Sequence, residues 1–155
     1  MEIITAKSAG FCFGVNRAIE ACYKEIEKGG EIVTYGPLIH NKNVNVDLAS
    51  KGIVSVDSLE GCEGKTVIIR SHGVGKAVYD ELESRGINYV DGTCPFVKKI
   101  HSIAHENYEK GIGVIIIGDA KHPEVMGING WCENSAIIVD NMEDAEKIVL
   151  DADKD

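Results

Sequence analysis

Six side chains able to do chemistry stand in short segments punctuated by glycine, proline or asparagine. Cys12 lies in Gly10-Phe11-Cys12-Phe13-Gly14, His40 in Gly36-Pro37-Leu38-Ile39-His40-Asn41, and His72 in Arg70-Ser71-His72-Gly73. Cys94 lies in Asp91-Gly92-Thr93-Cys94-Pro95, and His122 and Glu124 share Gly118-Asp119-Ala120-Lys121-His122-Pro123-Glu124. Thiolates are ligands for soft metals and iron-sulfur clusters, imidazoles bind metals or hydrogen-bond to anions, and a carboxyl group can relay a proton. Loops are polar in any protein, so one such residue alone would carry little weight.

The remaining thiols and imidazoles read as structural. Cys22 falls on an apolar helix face, where a cysteine acts as a small hydrophobe. Cys62, in Gly61-Cys62-Glu63-Gly64, and Cys132, after Gly130-Trp131, occupy turn-like or helix-end positions. Five cysteines form an odd set without CxxC spacing, which argues against a disulfide framework and a zinc ribbon. Reduced thiols or scattered metal ligands remain. His101 and His105 have the four-residue spacing that can hold a metal, but helical geometry places them beside the arc of Val97, Ile100 and Ala104, on a face expected to be solvated.

What positions the six residues is an alternation of β-branched runs and amphipathic stretches, the pattern of a parallel α/β fold. Strands are predicted at Glu2–Ala6, Ile32–Tyr35, Ile53–Val56, Thr66–Arg70, Asn88–Val90, Val114–Gly118 and Ala136–Asp140. Val15, Ala18, Ile19, Cys22 and Ile26 line one face of a helix that Gly29-Gly30 ends. Tyr79 and Leu82 mark a second helix that stops at Gly86, and Pro95 opens a third that runs toward Gly111. Each chemical segment follows a predicted strand, at five of the seven strand ends. Ligands of parallel α/β folds bind at those carboxyl ends, so two thiols, three imidazoles and one carboxylate are expected to face one cleft.

Composition narrows the class of ligand. A chain 44% hydrophobic and 26% charged is ordinary for a globular protein, and its net charge of −9 would repel a nucleic-acid backbone. The apolar run Val114–Ile117 is too short to cross a bilayer, and the N-terminus lacks a signal-peptide pattern. A cytoplasmic protein with a small-molecule or protein partner is expected.

The five segments, in this order, resemble motifs of the 4-hydroxy-3-methylbut-2-enyl diphosphate reductase family, and the resemblance covers essentially all 155 residues. It implies an oxidoreductase that removes the allylic hydroxyl of its substrate with two electrons and two protons, giving isopentenyl and dimethylallyl diphosphate. It further implies a 4Fe-4S cluster held by three cysteines, of which Cys12 and Cys94 match two. His40, His72 and His122 match substrate-binding positions, and Glu124 matches the proton source and a substrate contact. Ferredoxin or flavodoxin would supply electrons, with neither nucleic acid nor membrane contacted. The resemblance also implies three similar parallel-sheet α/β domains, of which two are expected here, the second incomplete. Residues 1–13 form the N-terminal strand and first cysteine loop, which would join the absent third domain; 14–96 form the first domain and 97–155 the second. The third cysteine and a later diphosphate-gripping group lie past Asp155, so the chain alone is expected to fold but to be inactive. Two other readings of the residues are a non-catalytic Cys/His module holding zinc and a redox-silent diphosphate-binding domain.

Overall fold

A computed structural model describes residues 1–148. The expected end of the second domain, 149–155, lies outside the described residues. In chain order the elements are α1 (Phe13–Lys28), β1 (Ile32–Tyr35), α2 (Lys42–Ser50), β2 (Val54–Val56), β3 (Thr66–Ile69), α3 (Lys76–Ser84), β4 (Asn88–Asp91), α4 (Pro95–Glu109), β5 (Ile115–Ile117), α5 (Pro123–Gly130), β6 (Ile137–Val139) and α6 (Met142–Glu146). The first four strands form one parallel sheet in the order β2-β1-β3-β4, and β5 pairs β6 in a second parallel sheet. The expected α/β class with parallel sheets is thus what the chain adopts.

The first sheet is apolar on both faces, as crossover helices require. Ile32 and Ile68 point into a core shared with Ala18 and Cys22 of α1 and Leu48 of α2. Val33, Val67 and Ile69 point the other way, toward Leu82 of α3, Leu59 and Cys62. A third core gathers Ala104 of α4, Ile116 of β5, and Val125, Ile128 and Cys132 in and after α5. Cys22, Cys62 and Cys132 are all buried, in line with their structural reading. Helix α5 packs on α4 and also touches α3, so it joins the two sheets.

Two expectations about elements fail. Glu2–Ala6 is exposed chain rather than a strand: Ile3 and Ile4 are among the most exposed apolar residues, and no strand edge among the described residues pairs with them. A β-prone run becomes a strand only where a neighbour accepts its backbone hydrogen bonds. The buried face of α4 is also turned from the one predicted. Val97, His101 and Ala104 point inward, whereas Ile100 and Ile103 are exposed. Together with Ile112, Ile115 and Ile117, these two line an open apolar groove of about 450 Å³.

The first sheet's core gives a stability prediction. Leu82 is fully buried, so Leu82→Ala should lower unfolding free energy by about 2–5 kcal/mol in urea denaturation. A loss below about 1 kcal/mol would mean that the α3 face is not packed as described.

Candidate functional site

Strand order places the site. The chain leaves β1 for β2 on one side and returns to β3 on the other, so β1 and β3 flank a topological switch point. Crevices open at the carboxyl ends of such strands. The segment after β1 carries His40 and the segment after β3 carries His72, and their ring centroids lie 4.4 Å apart. His122 comes from the second sheet, between β5 and α5, and its ring lies 5.8 Å from His40 and 5.9 Å from His72. Three imidazoles predicted from sequence therefore form one cluster. Beside His40 a concavity of about 530 Å³ opens, lined by Pro37, Ile39, Asn41, Asn45 and Val46 among others.

Hydrogen bonding orients one of the rings. His122 caps α5, and its Nδ1 accepts the Glu124 N–H at 3.2 Å. An accepting Nδ1 leaves the proton on Nε2, which can donate to an oxygen ligand. Glu124 itself stands in the first turn of α5, at the end of the helix where negative charge is stabilised. His72 Nδ1 is buried without a hydrogen-bond partner, and burial, with His40, Arg70 and His122 nearby, pushes the His72 pKa down to about 4. An anion bound among these rings would reverse much of that penalty by favouring the protonated form.

The two predicted thiols sit at helix starts. Cys12 is the N-cap of α1 and is exposed; Cys94 is the N-cap of α4, with Pro95 in the first turn. Neither side chain makes a cap hydrogen bond. The Cys94 thiol packs on Gly14, where any Cβ would lie 2.5 Å from the sulfur, so the close approach of the two cysteine segments requires glycine. The loop before Cys94 is held rigidly. Arg17 Nη1 donates to the Thr93 carbonyl at 2.9 Å, the Thr93 N–H donates to Asp91 at 2.9 Å, and the Cys94 N–H donates to the Ser71 carbonyl at 2.9 Å. That last bond ties Cys94 to the residue before His72.

Chemically, the cluster can receive a multiply charged oxyanion. The thiols fit part of a metal or iron-sulfur set by their chemistry: the Cys94 thiol packs on Gly14, two residues from Cys12, while no group of three or more His, Cys, Asp or Glu among the described residues is arranged to hold a metal ion. Of the six strands among the described residues, four lead to one of the chemical segments: β1, β3, β4 and β5. The fifth such segment, at Cys12, follows exposed chain instead of the predicted strand.

Sequence reasoning left two features unread. Arg70 was visible only as a neighbour of His72; its guanidinium lies against Gly36, whose φ of +69° and missing Cβ make room for it, and its Nε is buried without a partner. It lines a cleft of about 270 Å³ with Tyr35, Asp57, Pro123 and Met126 among others. His101, expected on a solvated face, is instead 3% exposed and stacks on Trp131. Its neighbour His105 follows expectation more closely, being part-buried with Nδ1 3.1 Å from the Trp131 carbonyl oxygen.

Burial also pushes the His101 pKa down to about 4. In the unfolded chain both His101 and His72 take up protons near the ordinary value of about 6.5, so the unfolded state binds more protons between pH 6.5 and 4. Stability is therefore full above pH 6.5 and falls as pH drops through that window, by on the order of 2–3 kcal/mol for His101 alone. Ring titration by NMR should show both midpoints near 4, with a matching decline in Tm; midpoints near 6.5 for both would contradict the burial described.

Residues 3–154 match the family model described as LytB protein. A 4-hydroxy-3-methylbut-2-enyl diphosphate reductase from Thermoanaerobacter sp. (strain X514) is 50% identical over 153 residues, covering 96% of this chain and 53% of the relative. Its counterpart from Clostridioides difficile (strain 630) is 48% identical over 156 residues, covering 99% of this chain and 56% of the relative. Among solved structures, the E-1-hydroxy-2-methyl-but-2-enyl-4-diphosphate reductase from Plasmodium falciparum has a TM-score of 0.88 at 27% identity, over 96% of this chain and 47% of that one. A solved (E)-4-hydroxy-3-methyl-but-2-enyl diphosphate reductase, described as the terminal enzyme of the non-mevalonate pathway, has a TM-score of 0.78 at 38% identity, over 92% and 52%. The chain spans about half the length of the curated relatives it matches. With a family model matched over nearly its whole length and a fold shared with solved relatives, the chain belongs to the LytB protein family.

Proposed function

We propose that this chain is part of a reductase that converts 4-hydroxy-3-methylbut-2-enyl diphosphate into isopentenyl and dimethylallyl diphosphate in the cytoplasm, and that it supplies three imidazole contacts to the substrate's diphosphate. The single observation behind this reading is the clustering of His40, His72 and His122 within 4.4 to 5.9 Å of one another. Three N–H donors at one point suit an anion with many oxygens, and they let a chain of net charge −9 hold a polyanion locally. The relatives named above carry the same activity in their names.

The reaction breaks one allylic C–O bond, consumes two electrons and two protons, and releases water. Hydroxide is a poor leaving group, so its departure needs a proton at the oxygen. Glu124 is the residue we assign to deliver it: it stands in the first turn of α5, with its backbone N–H bonded to His122, and a carboxyl group can relay a proton. His122, donating from Nε2, would orient the diphosphate. Cys12 and Cys94 would hold two irons of a 4Fe-4S cluster, which when bound supplies electrons received from ferredoxin or flavodoxin; further ligands would come from elsewhere. On this reading residues 14–96 and 97–155 belong to two of three similar domains, with 1–13 joining the third.

In a protein extended to the length of its relatives, Cys12→Ser or Cys94→Ser should abolish the visible absorbance of the cluster and all turnover, since a three-cysteine set has no spare ligand. Full iron, sulfide and turnover in either variant would refute the ligand assignment. Glu124→Gln should keep absorbance and substrate affinity but lower kcat by roughly 10²-fold or more, the usual scale for a lost general acid. A change confined to KM would make Glu124 a binding group. The 155-residue chain alone, after anaerobic reconstitution, should show no reductase activity with reduced dye, and stoichiometric cluster with turnover there would reverse this assignment.

A further inference from the structure

One buried imidazole outside the cluster stands at the seam between the two sheets. His101 stacks on Trp131 with centroids 5.5 Å apart and planes inclined by 24°, and its Nε2 has no hydrogen-bond partner. Its other side meets the backbone behind His72. A Cβ on Gly73 would lie 2.6 Å from His101 Cε1, and Gly73 holds a φ of +72° that favours glycine independently. A Cβ on Gly127 of α5 would lie 3.5 Å from His101 Nε2 and 3.7 Å from the His72 carbonyl oxygen. Two further contacts close the seam: Trp131 Nε1 donates to the Val74 carbonyl at 3.0 Å, and a Cβ on Gly130 would lie 2.6 Å from Gly75 Cα.

These contacts tie the Gly73-Val74-Gly75 loop, α4 and the stretch from α5 to Trp131 to one another. Helix α5 begins next to His122, and the loop begins next to His72. An apolar ring could stack on Trp131 without leaving a buried nitrogen unpaired, which is unfavourable. The slot between Trp131 and two glycines admits a flat five-membered ring, with Nε2 near the His72–Gly73 backbone.

We infer that His101 is a positioning residue that fixes His122 against His72 by wedging between Trp131 and the Gly73 backbone, an inference that rests on reading the three imidazoles as the diphosphate site. His40 and His72 come from one sheet, and the β1–β3 register holds them side by side. His122 comes from the other sheet and reaches them only through the seam. Loss of His101 therefore moves His122 and leaves the His40–His72 pair in place, a selectivity that general loosening would not produce.

The experiment uses the 155-residue chain, with ring-to-ring NOEs among the histidines and affinity for inorganic pyrophosphate as paired readouts. His101→Ala should lose the His72–His122 contact, keep the His40–His72 contact and weaken pyrophosphate roughly tenfold, about 1.4 kcal/mol. Leu82→Ala, which loosens the first sheet's core that also holds Val74 but leaves the His101–Trp131 stack intact, should keep both contacts and the affinity. Should His101→Ala fail to fold, Trp131→Phe removes the bond to Val74 while retaining an aromatic stack, and it should shift the same single contact partway. An unchanged His72–His122 contact in the folded variant overturns the inference, as does equal loss of both contacts. If the unaltered chain binds no pyrophosphate, the diphosphate reading fails, and the NOE pattern still decides the role of His101.

Discussion

The register of β1 against β3, with Val33 opposite Val67 and Tyr35 opposite Ile69, is the constraint on which the site depends. Both strands are interior, both are buried on two faces, and both run in the same direction, so the chain must leave them at the same end of the sheet. A one-residue slip would exchange the two apolar faces and unpack both cores at once. His40 and His72 inherit their proximity from this pairing and need no special contact of their own. Cys94 is brought in by the same logic, since β4 pairs β3 and the Cys94 N–H is bonded to the carbonyl beside His72.

The chain builds its polar site with little charge. Asp91 is held well below the usual carboxylate range despite its burial by Lys98, whose ammonium lies 2.5 Å away, and by the Thr93 hydrogen bonds. That pair and the Arg17–Thr93 bond act behind the Cys94 loop and not within the cluster. The donors that face the crevice are imidazoles and the starts of helices, which can be neutral until an anion arrives. An acidic protein can thus keep an anion site without a standing excess of lysine and arginine.

Much of this was legible in the sequence. Short β-branched runs marked β1 and β3, and the placement of His40, His72, Cys94 and His122 just past strands followed directly. The failures have distinct physical causes. Ile3 and Ile4 have strand propensity, but a strand exists only with a partner, and partners are tertiary facts. In α4 the arc through Ile100 and Ile103 looked buried by side-chain type, whereas the true inward arc runs Val97, His101, Ala104. What decides between them is the vacancy created by Gly73 and Gly127, remote in sequence. Helix α2 is only weakly amphipathic, and its signal was the Asn41 cap, whose side chain accepts from the N–H groups of Asn43 and Val44. Helix α5 had its start written in His122-Pro123-Glu124, read as the end of a loop.

The two sheets differ in how firmly they are held. The first has four strands and cores on both faces, while β5 and β6 each pair along one side only among the described residues, and an isolated pair of short strands is marginal in water. The imidazole cluster therefore straddles a rigid body and a breathing one. A molecule that bridges His72 and His122 draws on its own binding energy to keep the second sheet closed. Amide hydrogens of Ile115–Ile117 and Ile137–Val139 then exchange with solvent more slowly whenever the cluster is filled, which makes two strands that lend no side chain to the cluster a gauge of its occupancy.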